Sequence, residues 1–105
     1  MKIISFGFKW GKPDVDIVFD ARRIRNPHQD KKLRKLRGTD AQVANQVLRH
    51  RAAIKILREA VEAGKQPHIA SIGVGCTGGH HRSVAIAVEL GRRLHAHVTH
   101  RDINK

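Results

Sequence analysis

The residues whose types and spacing could do chemistry are concentrated in Gly73-Val74-Gly75-Cys76-Thr77-Gly78-Gly79-His80-His81-Arg82-Ser83. An apolar run, His68 to Val74, feeds this turn, and a helical pattern opens at His80 or His81. A glycine-rich turn at a helix N-terminus is built for anions. Free backbone N–H groups converge there, the helix dipole adds partial positive charge, and glycines let the backbone approach a ligand with no Cβ in the way. Arg82 adds a guanidinium fork suited to phosphate oxygens. Glycines serving packing alone would leave the arginine and the hydroxyl in the same turn unexplained.

Three templates overlap the turn. Gly73-x-Gly75-x-x-Gly78 matches the dinucleotide fingerprint, with Asp102 following 24 residues after Gly78, but the strands completing such a domain would have to precede the motif in an unusual order. The ATP-binding Walker pattern fails, because His80 stands where it requires Lys. Cys76-x5-Arg82-Ser83 is similar to the loop of cysteine-dependent phosphatases, where a thiolate attacks phosphorus and the arginine holds the equatorial oxygens. A helix N-terminus beside Arg82 and two histidines would favour that thiolate. Gly75, however, stands where those enzymes usually carry His, and spacing does not rank Asp20, Asp40 and Asp102 as the general acid. Non-catalytic phosphate binding is the preferred reading. A phosphatase using Cys76, Arg82 and Asp102 is the alternative.

These residues need a scaffold, and the chain reads as one. Lys2 to Lys9 is a first strand ended by Gly11 and Pro13, and Asp16 to Asp20 is a second. Val43, Val47, Leu48, Ile54, Leu57 and Val61 recur at helical spacing, predicting one helix over Asp40 to Ala63 with Gly64 as its cap. Arg49, Arg51, Lys55 and Arg58 form its solvated face. A third strand precedes the turn, a helix runs to about Leu94, and His95 to His100 is a fourth strand. The alternation predicts a single-domain α/β layered fold over residues 1–105, with a small, mostly parallel sheet and one long and one shorter crossover helix. His95 and His97 share a strand face, yet no third ligand is placed by spacing, so no metal is expected. No cofactor is implied. His100-Arg101-Asp102 echoes a kinase loop with no other kinase signature, and reads as a strand-end cluster bordering the pocket.

The 105 residues hold 21 Lys and Arg against 9 Asp and Glu, a net charge of +12, and the sequence pI is about 11.2. Such an excess asks for a polyanionic partner. Eight of the cations, Arg22, Arg23, Arg25, Lys31, Lys32, Arg34, Lys35 and Arg37, share Ala21 to Gly38 with one acid, Asp30. That stretch is the electrostatic footprint for nucleic acid. Phe6, Phe8, Trp10 and Phe19 lie in or beside strands and offer little for base stacking, so backbone and shape recognition of a structured RNA fits better. One cysteine excludes an intramolecular disulfide and points to a reducing compartment. No signal peptide and no bilayer-spanning run are legible. A cytoplasmic protein with no membrane partner is expected.

The segment Gly75-Cys76-Thr77-Gly78-Gly79-His80-His81-Arg82-Ser83-Val84 resembles the signature of the C-terminal domain of RapZ, the bacterial RNase adapter protein. Ser5-Phe6-Gly7-Phe8-Lys9-Trp10-Gly11, Phe19-Asp20-Ala21-Arg22, Asn26-Pro27-His28, Leu33-Arg34, Gly38-Thr39-Asp40 and His100-Arg101-Asp102 follow the family in the same order. The resemblance covers nearly the whole chain. It implies a bacterial regulator that recognises RNA and senses a phosphorylated amino sugar, glucosamine-6-phosphate. It also implies that Cys76, Thr77, Gly78, Gly79, His81 and Arg82 surround the phosphate, with Asp20 and His28 closing the other side. Ser83, next in the turn, joins the candidate set, and inorganic phosphate is the simplest ligand. No counterpart of the family's N-terminal nucleotide-binding domain is seen in these residues, so a stand-alone C-terminal domain is expected. Whether it forms a homo-oligomer is left open.

Overall fold

Short apolar runs separated by helical segments give a parallel sheet because each strand must be reached by a crossover. The structure is a computed structural model and describes Met1–Lys105. Strands β1 (Lys2–Gly7), β2 (Ile17–Asp20), β3 (Ser71–Cys76) and β4 (His97–His100) form one sheet in the order β2-β3-β1-β4. Every pairing is parallel, with Ile3 opposite Ile72 and Val98, and Phe19 opposite Val74. Helices α1 (Ala41–Leu48), α2 (Arg51–Gly64) and α3 (Arg82–Leu94) complete the α/β domain, with 3-10 turns at Phe8–Trp10 and Pro27–Gln29.

Helix α3 packs on β1, β3 and β4 while α1 and α2 pack on α3, which is why Arg82 through Ala87 are all buried. Ile3, Ile72 and Val74 from the sheet share one cluster of 16 buried residues with Val43, Leu57, Ile86 and Leu90 from the helices. On the opposite sheet face Phe6 and Phe8 meet edge to face at 4.9 Å. A Cβ at Gly75 would fall 2.5 Å from the Phe6 ring and 2.6 Å from the Phe8 ring. A histidine before Cys76, as in cysteine phosphatases, has no room in this core.

The helix predicted over Asp40 to Ala63 is two helices. Its chain breaks at Arg49-His50, where the His50 ring accepts the Ala52 N–H at 3.1 Å and caps α2. The break shifts the phase of the apolar stripe, so that α2 buries Ala53, Leu57 and Ala60 and leaves Ile54 49% exposed. Gly64 is the last residue of α2, followed by Lys65 in right-handed geometry. It is small because a Cβ there would lie 2.5 Å from Leu94 Cδ1, and it is not a left-handed cap. Strand β3 begins at Ser71 rather than His68, and the Asp16 carboxylate accepts the Ala70 and Ser71 amides at 2.7 and 3.0 Å where it starts. His95 is left-handed at the end of α3, with φ of 52°. It lies outside β4, so the shared strand face proposed for His95 and His97 does not exist. No helix is long and apolar enough to cross a membrane.

Candidate functional site: an anion pocket at the start of α3

Strand β3 ends at Cys76 and α3 starts at Arg82, so Thr77 to His81 must turn the chain within five residues. Two glycines make this close approach work. Gly79 has φ of +79°, and a Cβ on it would fall 2.7 Å from the Gly7 amide nitrogen and 3.0 Å from Asp102 Cβ. A Cβ on Gly7 would fall 2.5 Å from the Gly78 carbonyl carbon. The turn is thus pressed against the end of β1, and the Lys9 amide donates to the Thr77 carbonyl at 3.3 Å. On its other side the Gly38 amide donates to the His80 carbonyl at 2.8 Å, and the His81 Nε2–H donates to the Leu36 carbonyl at 2.7 Å.

These contacts enclose a pocket of about 230 Å³ lined by Lys9, Asn26, His28, Cys76, Thr77, Gly78, His80, His81 and Arg82. No carboxylate lines it. The Arg82 side chain is 95% buried on a residue basis and is aimed by its own donors. Nη1 donates to the Arg22 and Ile24 carbonyls at 3.0 and 3.1 Å, and Nη2 donates to Thr77 Oγ1 at 3.4 Å. Its Nε–H is buried with no partner, as is His80 Nε2. An unpaired buried donor on a cation is costly unless something accepts from it. Burial depresses the His80 and His81 rings below the usual imidazole range, and the nearby Arg37 charge pushes them the same way.

The family model of the RapZ C-terminal domain matches residues 1–104. The chain belongs to that family. Its relatives include nucleotide-binding proteins of Rubrobacter xylanophilus, 45% identical over 98% of this chain and 40% of that protein, and of Corynebacterium glutamicum, 43% identical over 98% of this chain and 38% of that protein. One from Thermus thermophilus is 39% identical over the whole of this chain and 43% of its own length. The chain therefore spans about 40% of the length of these curated relatives.

Within this RapZ-family domain, Cys76, Thr77, Gly78, His81, Arg82 and His28 meet at one pocket. Gly79 shapes the turn from behind, and Ser83 is buried beneath it, accepting the Cys76 thiol hydrogen at 3.2 Å. Asp20 is elsewhere. It ends β2, accepts Arg22 Nη2 at 2.7 Å, and lines a separate groove with Phe19, Arg23, Lys55 and Glu59. The Arg22 hydrogen bond holds its carboxyl below the usual range. The candidate general acids are all occupied away from the pocket. Asp40 accepts the Arg37 amide at 2.6 Å, and Asp102, fully buried, accepts from Gly7, Arg101 and Lys105. Lys9, Asn26 and His80 are pocket residues that sequence reasoning left out of the site.

The basic stretch divides in two. Arg22 is paired with Asp20 and lies over the Phe8 ring at 4.0 Å. Arg37 donates to the Ile103, Lys35 and Leu36 carbonyls, and Arg34 to the His28 carbonyl. These three act as struts around the pocket. Arg23, Arg25, Lys31, Lys32 and Lys35 are exposed and none is paired with an acid.

Proposed function

We propose that this domain is a non-catalytic regulatory module with two anion sites. The pocket takes a phosphomonoester, either inorganic phosphate or a phosphorylated amino sugar of the glucosamine-6-phosphate type. The exposed cations of residues 22–37 take the backbone of a structured RNA. The observation that carries this reading is the buried Arg82 guanidinium, set in place by the Arg22 and Ile24 carbonyls, in a pocket lined by cations and no carboxylate. A phosphate dianion supplies the counter-charge that the Arg82 guanidinium lacks in this pocket, and the loop amides at the N-terminus of the 13-residue α3 supply donors to its oxygens. The two tasks ask for different geometry: a few convergent donors for a small anion, spread cations for a backbone. A single buried thiol suits a reducing, cytoplasmic setting.

Calorimetric titration of the nuclease-treated protein with glucosamine-6-phosphate and with inorganic phosphate tests the pocket. Binding of either, abolished by Arg82→Ala with the fold intact by circular dichroism, is the expected result. No heat with either ligand overturns it. Turnover of an aryl phosphate that disappears in Cys76→Ser would instead establish the phosphatase alternative.

A further inference from the structure

We propose that the phosphate pocket has an aromatic extension at its mouth. Trp10, set among Lys9 and Lys105, is a stacking platform for the base of a nucleoside monophosphate unit whose phosphate sits in the turn. The inference rests on the phosphate reading above and names the ligand class further. The same unit comes from two sources, a free mononucleotide or the 5′-phosphorylated end of an RNA.

Trp10 is the only tryptophan of the chain and is 46% exposed. The other large exposed apolar residues, Met1, Ile54 and Val88, are aliphatic. As expected from the sequence, Trp10 lies beside a strand, on the 3-10 turn after β1, but there it is open to solvent. Its backbone is tied down: the Gly11 amide donates to the Phe8 carbonyl at 3.1 Å, and Arg101 Nη2 donates to the Gly11 carbonyl at 2.6 Å. Two ammonium groups lie over the ring, Lys9 Nζ at 5.1 Å and Lys105 Nζ at 5.0 Å from its centroid, so a stacking base takes the place of the Lys9 ammonium.

The link to the pocket is Lys9. It lines the cavity, its amide is bonded to Thr77 of the turn, and its ammonium lies over the indole, so one side chain joins the pocket wall to the ring. Lys105 is anchored by Asp102 at 3.1 Å, whereas Lys9 has no acid partner and is free to turn toward a phosphate. An aromatic ring whose covering ammonium turns to the phosphate leaves a face for the base of the same ligand, and stacking is tolerant of base identity because every base has a π face.

Trp10 being the only tryptophan, its fluorescence reports on the platform directly. AMP, inorganic phosphate, glucosamine-6-phosphate and adenosine are titrated by fluorescence and calorimetry against wild type, Trp10→Ala and Trp10→Phe. The expected result is that AMP binds about tenfold tighter than inorganic phosphate and quenches the indole along the calorimetric isotherm. Trp10→Ala brings AMP down to the affinity of phosphate, leaving phosphate itself unchanged, and Trp10→Phe keeps most of the margin. A 5′-phosphorylated oligoribonucleotide that gains the same margin over its 5′-hydroxyl form assigns the platform to RNA ends, while a margin for AMP alone assigns it to free nucleotides. The proposal is overturned if AMP, phosphate and the sugar phosphate bind alike, or if Trp10→Ala binds AMP as well as wild type does. If neither phosphate nor the sugar phosphate binds wild type, the pocket reading itself has failed.

Discussion

The Gly7 amide donates to Asp102 Oδ2 across 2.8 Å, joining the end of β1 to the segment after β4. This bond fixes the floor on which Gly79 rests. Burial pushes the Asp102 carboxyl up, but the Arg101 hydrogen bonds, the Gly7 amide and Lys105 outweigh it and hold the group at about 2. The folded value lies below the ordinary 3.8, so the carboxylate contributes stability that is present above that ordinary value and is lost as the pH falls toward about 2. Asp102→Asn is expected to cost about 1–3 kcal/mol at pH 7. Urea midpoints at pH 7, 4 and 3 should converge between variant and wild type as the pH drops, and a constant gap would show that the charge is not the cause.

Gly79→Ala meets two penalties at once, a left-handed backbone and a Cβ placed 2.7 Å from the Gly7 amide nitrogen. The first costs about 1–2 kcal/mol, and the second cannot relax because backbone, not a side chain, is in the way. A loss of at least about 2 kcal/mol in denaturant unfolding is expected, with phosphate binding lost even where the protein still folds. Gly78→Ala is the control: its Cβ would meet nothing within 4 Å, so its stability should barely change.

The strands and the turn were legible because branched runs such as Ile69 to Val74, bounded by Pro67 and a glycine cluster, have few other solutions. The break between α1 and α2 was not, since His50 caps α2 with a ring nitrogen where the usual signals are Ser, Thr, Asp or Asn. At the site, Arg82 and Thr77 were readable from spacing. Lys9 and Asn26 were not, because they reach the pocket through tertiary contacts, Lys9 by way of Gly7 lying against Gly78. The hint lay in Gly7 between Phe6 and Phe8, a strand glycine of the kind that marks close backbone approach. Asp20 was drawn toward the pocket by family resemblance, and its local Arg22 partner explains why it stays outside.

On the proposed RNA reading, the division of the basic stretch separates nucleic-acid binding from stability. Lys31 and Lys32 are exposed and unpaired, so replacing both with Ala should leave folding and phosphate binding unchanged. It should also lower the log-log salt slope of RNA affinity by about 1–2, the share of two phosphate contacts. Arg37→Ala should do the reverse, since its guanidinium holds the Ile103, Lys35 and Leu36 carbonyls. Anisotropy titrations over a salt series, run beside thermal unfolding, distinguish the two. Equal losses of stability and RNA affinity in both variants would refute the division.

Small-anion affinity should carry a pH signature from the histidines. Burial, then the Arg37 charge, holds the His80 ring below its ordinary 6.5, so it is neutral at pH 7 and faces the pocket without charge. Because the folded value is lowered, protonation works against the fold, and the stability this neutral ring contributes is lost as the pH falls through that value. A bound dianion reverses the balance at this one position by favouring the charged ring. Sulfate, which stays dianionic across the range, isolates the protein's part of the effect. Its affinity should rise severalfold from pH 7.5 to 5.5, with most of the rise below 6.5, and His80→Gln should flatten the curve. An unchanged slope in that variant would move the effect to His81, which lines the same cavity.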